Sequence, residues 1–114
     1  MSFNIPKEAN LLLGTRNVKN LINKPLDYKV ISFFETLSKE IFKDKITKKY
    51  EDLALFGFFI RSANTKKNIK DTDCNLLGRG LAFHVNTSNV PLNFAYSLYY
   101  GLIFGNTNIL KISR

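Results

Sequence analysis

The sequence predicts an α/β fold in which N-terminal helices precede a strand–helix–strand unit. An amphipathic repeat beginning at Tyr28 indicates a helix in the first half of the chain. From Cys74 onward the chain has no Asp or Glu, and only Arg79, Lys111 and Arg114 are charged. A stretch so poor in charge is typical of a buried segment. Within it, two apolar runs flank a crossover of about twenty residues, enough for a parallel βαβ unit.

Composition limits the class of protein. The chain has 114 residues, of which 45% are hydrophobic and ten are Phe, so it is one domain or less and is not a disordered basic tail. Seventeen Lys and Arg against nine Asp and Glu give a net charge of +8. With one Cys and one His, the sequence excludes a disulfide framework and a multi-cysteine zinc site, and we expect no metal.

The sequence also predicts a soluble, cytoplasmic protein without a membrane span. Its N-terminus has no apolar segment following a basic one, as a secretory signal would. The longest apolar stretch covers residues 53–60, whereas a bilayer span needs roughly 20 apolar residues.

The change in charge content divides the chain into residues 1–70, mainly helical, and residues 71–114. Residues 1–27 contain Pro, Gly and Asn and read as irregular, with room for a short strand or helix. A helix follows from Tyr28, with Asp27 as its N-cap and Glu35–Lys39 as an i,i+4 pair. A second helix is expected over residues 49–63, packed on most sides of its apolar middle.

Residues 71–114 are interpreted as strand, helix and strand. The strands are expected at 80–86 and 108–112, and the helix from Pro91 to residue 104, capped by Ser88 or Asn89. Two parallel strands do not form a stable sheet by themselves. We therefore expect an apparently truncated domain, whose sheet is completed by the remainder of the protein or by an oligomeric partner.

Two motifs carry a resemblance to a known family. They are Ser-Asn-Val-Pro at residues 88–91 and Gly-Asn-x-x-Ile-x-Lys at residues 105–111, and residues 55–64 match a helix upstream. Over residues 30–114 the chain resembles the first quarter or so of the acyl-CoA reductases of the bacterial bioluminescence fatty-acid reductase type. These are distant members of the aldehyde dehydrogenase superfamily. The resemblance implies that residues 71–114 begin a Rossmann-like nucleotide-binding domain.

The resemblance also implies a reaction. Such enzymes reduce a fatty acyl-CoA or other acyl thioester to a fatty aldehyde with NADPH, through a thioester on a cysteine that this chain lacks, so the chain alone is expected to be inactive. By the same resemblance, Asn89 is the oxyanion donor, Lys111 binds the adenosine ribose, and Arg114 favours the 2′-phosphate of NADPH. The superfamily's Pro-Trp before the asparagine is replaced here by Thr87 and Ser88.

Other reactive residues have simpler interpretations. Cys74 is interpreted as an ordinary thiol and His84 as a packed or hydrogen-bonded histidine. The lysines at 45–49 and 66–70 are read as solvated faces, not as a nucleic-acid site, because aromatic residues do not interleave with them. The alternative function is a small basic, non-catalytic binding or assembly module, which would fold by itself and bind polyanions with steep salt dependence.

Overall fold

The computed structural model describes residues 2–68 and 78–112. The predicted division between residues 70 and 71 lies outside those ranges. The elements in chain order are β1 (Ser2–Asn4), β2 (Asn17–Lys19), α1 (Tyr28–Lys43), a 3₁₀ helix (Lys45–Lys49), α2 (Glu51–Phe59), α3 (Ser62–Asn68), β3 (Leu81–Val85), α4 (Asn93–Ile103) and β4 (Thr107–Lys111). Within these ranges the longest helix has 16 residues, and no helix has the length and apolar content that crossing a bilayer requires.

The beginning of α1 confirms the helix predicted from Tyr28. The Asp27 carboxylate accepts a hydrogen bond of 2.8 Å from the backbone N–H of Lys29, as an N-cap does. The helix ends at Lys43, and Asp44 then caps the 3₁₀ helix through a bond of 2.9 Å from the N–H of Ile46. Two aspartates therefore determine where these neighbouring helical segments begin.

The single helix predicted over residues 49–63 is wrong, because the chain forms α2 and α3 with a break between them. The side chain of Glu35 accepts a hydrogen bond of 2.7 Å from the N–H of Ser62 and so starts α3. The amide of Asn64 donates to the Phe58 carbonyl at 2.7 Å, which satisfies the end of α2. The expected burial of the middle of α2 is also only partly correct, since Leu55 and Phe58 are more than half exposed.

Aromatic side chains join α4 to the other helices. The ring of Tyr99 lies 5.0 Å from that of Phe34 on α1 and 5.2 Å from that of Phe59 on α2, both in edge-to-face geometry. Its hydroxyl shares a hydrogen bond of 2.7 Å with Thr65 on α3. The buried core of the helical layer consists of Phe34, Ile41, Phe56, Ile60, Tyr99 and Ile103.

The predicted strand–helix–strand unit is present. β3 and β4 pair in parallel, with Leu81 opposite Thr107 and Val85 opposite Lys111, and α4 connects them. The opposite side of α4 packs on the helical layer, so α4 lies between the sheet and helices α1–α3.

The expected cap of α4 is wrong. The residue preceding the helix is Leu92, and it makes no side-chain cap hydrogen bond. The N–H of Asn93 bonds to the carbonyl of Val90 at 3.1 Å, so a turn separates Ser88 and Asn89 from the first helical residue. That turn places both side chains too early in the chain to serve as the cap.

A segment that we call the strap, residues 21–26, crosses from the N-terminal region to the sheet. It follows the β1–β2 hairpin, in which Phe3 pairs with Val18. The Thr107 hydroxyl donates to the Leu21 carbonyl at 2.8 Å, and the N–H of Asn23 donates to the Gly105 carbonyl at 2.9 Å. The strap therefore covers the start of β4.

Candidate functional site

The carboxyl ends of β3 and β4 form a small concave site. Beyond the last paired residues, Val85 and Lys111, the N–H of Asn86 still bonds to the Lys111 carbonyl at 3.4 Å. Here the loop to α4 leaves the sheet and encloses a cavity of about 50 Å³. The cavity is lined by Asn86, Thr87, Ser88, Val90, Pro91, Phe94 and Ile112. In open α/β sheets this edge is where ligands bind.

The N-terminus of α4 faces this edge, and no side chain caps it by a hydrogen bond. Leu92 has no polar atom in its side chain, so it caps none of the first-turn N–H groups. The N–H of Asn93 bonds instead to the Val90 carbonyl at 3.1 Å, and that of Ala95 to the Leu92 carbonyl at 3.0 Å. The helix dipole at this end favours negative charge. Thr87 and Ser88, exposed in the adjacent loop, add hydroxyl groups that can donate or accept.

The structure places Asn89 and Lys111 at the same edge of the sheet. Asn89 is exposed in the loop between β3 and α4, and it is not among the residues that line the cavity. Lys111 is the last residue of β4, and it is exposed as well. Among the described residues no hydrogen bond joins the two side chains. Arg114 lies outside the described residues.

His84 connects all three elements of the strand–helix–strand unit. Its Nδ1 lies 2.6 Å from the Ser97 hydroxyl on α4, and its Nε2 lies 2.8 Å from Oδ1 of Asn108 on β4. The Asn108 amide donates to the Asn106 carbonyl at 2.9 Å, which leaves its Oδ1 as the acceptor toward His84. With this orientation of Asn108, the matching tautomer of the ring donates from Nε2 to Asn108 and accepts at Nδ1 from the Ser97 hydroxyl. This confirms the interpretation of His84 as a hydrogen-bonded histidine.

Gly101 allows α4 to lie close to β4. A Cβ at this position would overlap the Asn108 side chain, including the oxygen that accepts from His84. Ser97 and Gly101 are one helical turn apart on the side of α4 that faces the sheet. The hydrogen-bonded side chains therefore have room only because residue 101 has no side chain.

The other side of α4 carries Tyr96, which faces the helical layer. Its ring lies 5.0 Å from that of Phe56. Burial raises the pKa of its phenol, and the negative charge of Asp52 adds to this shift. Ser97 thus directs its hydroxyl toward the sheet, whereas Tyr96 directs its phenol toward the aromatic rings of the helical layer.

In residues 2–68 and 78–112 no group of three or more His, Cys, Asp or Glu side chains is placed to hold a metal ion. Cys74 falls outside these ranges. Among the residues that the structure describes, the strand ends offer amides, hydroxyls, backbone N–H groups and the Lys111 ammonium.

Sequence reasoning missed the partners of His84. Alternation along β3 could have identified the sheet face, because Ala82 and His84 lie on the side of α4 while Leu81 and Phe83 lie on the other. Nothing in the local sequence identifies Ser97 or Asn108, which lie 13 and 24 residues from His84. Their proximity arises only from the parallel register and the path of the helix.

Comparison with known proteins identifies a family. The family model described as acyl-CoA reductase (LuxC) matches residues 13–114. No curated protein and no solved structure gives a significant match. The matched range includes both motifs that carry the resemblance and the whole strand–helix–strand unit.

Proposed function

The chain belongs to the LuxC acyl-CoA reductase family, and on this premise we propose that it forms part of an enzyme that reduces a fatty acyl thioester to a fatty aldehyde with NADPH. The observation that carries the proposal is the parallel pairing of β3 and β4 around α4. This arrangement brings the loop at residues 86–92 and Lys111 to the edge of the sheet where α/β proteins bind nucleotides.

In this proposal NADPH binds along the edge of the sheet. Lys111 is exposed at the end of β4, so its ammonium is free to bond to the ribose hydroxyls. A cavity of about 50 Å³ holds only a few atoms, so most of the nucleotide would lie along the open edge. We propose that Arg114 binds the 2′-phosphate, since a guanidinium matches phosphate geometry. When bound, NADPH supplies the hydride of the reduction.

Asn89 is proposed as the donor to the developing oxyanion. Reduction of a thioester adds hydride to the carbonyl carbon, and negative charge then collects on the oxygen before the thiolate leaves. A neutral amide donor at that oxygen stabilises the charge, and removing one such donor costs roughly 3 kcal/mol. The exposed position of Asn89 in the loop lets its amide reach a substrate at the strand ends. Thr87 and Ser88, which replace the superfamily's Pro-Trp, would give this pocket a more polar wall.

The nucleophilic cysteine is proposed to lie outside residues 1–114, with Cys74 an ordinary thiol. The face of β3 opposite α4 supports a larger assembly, because Leu81, Phe83 and Val85 are 38%, 58% and 71% exposed. Parallel sheets normally have both faces covered. We propose that the remainder of the enzyme, or an oligomeric partner, covers this face, completes the Rossmann-like sheet and supplies the nucleophile.

The first test of the proposal is fluorescence titration of NADPH into the protein encoded by the longest reading frame that contains residues 1–114. Lys111→Ala should weaken binding about tenfold, as expected for a lost charged hydrogen bond. Lys67→Ala, which removes the same charge from an exposed position on α3, should leave it unchanged. A folded chain that does not bind NADPH but binds polyanions would instead support the basic binding module.

The second test measures turnover in the longest reading frame that contains residues 1–114. Asn89→Ala should lower acyl-CoA reduction by a factor of about 100 or more, with NADPH affinity kept. Asn89→Asp should not restore it, because a carboxylate cannot donate to an oxyanion. Unchanged turnover in Asn89→Ala would remove this residue from the mechanism.

A further inference from the structure

A second concave surface lies in the helical layer, between α1 and the start of α3. This groove has a volume of about 590 Å³ and is open to solvent, since most of the residues that line it are exposed. It is lined by Glu35, Ser38, Lys39, Phe42, Lys43, Arg61 and Ala63. It belongs to the helices and not to the strand ends, so the proposed reaction does not account for it.

Arg61 is held in place by two aromatic rings. Its guanidinium carbon lies 5.1 Å from the ring centre of Phe42 on α1 and 5.4 Å from that of Phe58 on α2. Cation–π contacts of this kind orient the guanidinium plane but use none of its N–H donors. Among residues 2–68 and 78–112 no side chain forms an ion pair with Arg61. Its donors therefore remain available to a ligand in the groove.

Two lysines add positive charge on the same side of α1. Lys39 and Lys43 are one helical turn apart, and both line the groove. Lys43 also lies 3.4 Å from Glu40, but both side chains are largely exposed, and such surface pairs contribute little. Exchanging that contact for a bound anion would therefore cost little.

The one carboxylate lining the groove is already engaged. Glu35 accepts the 2.7 Å hydrogen bond from the N–H of Ser62. This bond lowers the pKa of Glu35, and the charges of Lys39 and Arg61 lower it further. One oxygen of the carboxylate is thus committed to α3, and three cations face the groove against this single anion.

From these contacts we infer that the groove binds the phosphate group of a small phosphate ester, with Arg61 as the bidentate donor. A phosphate monoester carries up to two negative charges and three acceptor oxygens, which match a fixed guanidinium fork flanked by Lys39 and Lys43. A carboxylate could accept both hydrogen bonds from the guanidinium, but its single negative charge would neutralise less of the positive charge of the two lysines. The volume of the groove allows a phosphate together with the group attached to it.

The test is calorimetric titration of the 114-residue chain with three probes: inorganic phosphate, adenosine 3′,5′-bisphosphate and adenosine 2′,5′-bisphosphate. The titrations contain about 150 mM NaCl, which screens interactions between charges more than about 8 Å apart. The binding measured in this buffer therefore reflects close contacts. Preference for the 3′,5′ compound that is lost in Arg61→Gln would identify the phosphate of coenzyme A as the source. Preference for the 2′,5′ compound that is lost in Arg61→Gln would assign the NADPH phosphate to the groove instead of to Arg114, whereas a preference that survives in Arg61→Gln would report the strand ends. Equal binding of all three would show that the groove recognises phosphate alone, and it would overturn the assignment of a phosphate ester.

Arg61→Gln should weaken binding about tenfold, and Arg61→Lys should restore only part of it, because an ammonium keeps the charge but loses the fork. Lys39→Gln provides a second variant that removes none of the aromatic contacts. Lys48→Gln, which removes one charge from the exposed 3₁₀ helix, should bind like the original chain.

No binding of any probe would overturn the inference, as would equal losses in Lys48→Gln and Arg61→Gln. Circular dichroism of each variant distinguishes lost binding from lost folding. Binding at the groove should depend on Arg61 and Lys39 and not on Lys111, so Lys111→Ala should leave the affinity for inorganic phosphate intact. Failure of the reductase proposal and failure of this one are therefore distinguishable.

Discussion

The hydroxyl of Ser97 on α4 lies 2.6 Å from Nδ1 of His84 on β3, and this bond joins the connecting helix to the first strand of the parallel pair. The same imidazole reaches Asn108 on the second strand at 2.8 Å. One ring therefore holds the helix and both strands in register. The loop that carries Asn89 begins directly after β3, so its position depends on this cluster.

Ser97→Ala should lower the free energy of unfolding by about 1–2 kcal/mol, because it leaves Nδ1 of the part-buried His84 without its donor. Urea denaturation followed by circular dichroism measures this change. Ser32→Ala, at an exposed position on α1, is the matched control and should have little effect. Equal effects of the two substitutions would show that the bond to His84 does not contribute to stability.

Gly101→Ala should destabilise the protein by about 1–3 kcal/mol, although helix propensity alone predicts a gain of roughly 1 kcal/mol. The added methyl group would overlap the Asn108 side chain. Thermal unfolding gives the sign of the change. In a double-mutant cycle with Asn108→Ala, the two penalties should be less than additive, because Asn108→Ala removes the obstructing atoms. A stabilised Gly101→Ala variant would contradict the close packing.

Gly105→Ala should cost at least about 1 kcal/mol more than Gly14→Ala. Both glycines have positive φ, +85° and +93°, so both substitutions introduce similar backbone strain. A Cβ at residue 105 would also overlap the carbonyl of Asn23 in the strap, whereas at residue 14 nothing lies within 4 Å. Chemical denaturation of the two variants isolates the strap contact. Equal losses of stability in the two variants would show that the strap moves away from residue 105 without lowering the free energy of unfolding.

Glu35→Gln should be less stable than the original chain at neutral pH, and this difference should shrink as the pH falls. The bond from the N–H of Ser62 lowers the pKa of Glu35 below its ordinary value of 4.5. The ionised group therefore stabilises the fold above that pH, and the contribution is lost as the pH falls through the lowered pKa.

Unfolding midpoints between about pH 7 and pH 3 test this expectation. Glu8→Gln, at an exposed site in the N-terminal region, serves as the control and should not alter the midpoint at neutral pH. A difference between Glu35→Gln and the original chain that is constant across this range would exclude a role for the charge.

Local signals predicted α1 and the strand–helix–strand unit correctly. Asp27 caps α1 through an interaction within two residues, and such interactions can be read from adjacent sequence. The break between α2 and α3 could not be read in this way. It depends on Glu35, which lies 27 residues from Ser62, and on the burial of Ile60 in the core.

For the candidate site, the sequence motifs place Asn89 and Lys111 near the strand ends, where the structure has them, while their roles stay predictions. Asn89 and Lys111 lie at the carboxyl ends of the strands, as the predicted topology requires. The expectation that Asn89 or Ser88 caps α4 was wrong, because the chain makes an additional turn at Val90 before the helix begins. Preferences for capping residues cannot predict such a turn when several polar residues precede a proline.

The sequence by itself predicted the helix from Tyr28 and the strand–helix–strand unit, because periodicity, proline and glycine positions and charge content act over a few residues. Its two motifs carried the resemblance to the family that the family model confirms. Only the tertiary structure decided which distant groups meet: His84 with Ser97 and Asn108, Glu35 with Ser62, and Arg61 with Phe42 and Phe58. These contacts depend on strand register and on the angles at which helices pack. Both arise from the simultaneous burial of many side chains, and no local pattern encodes them.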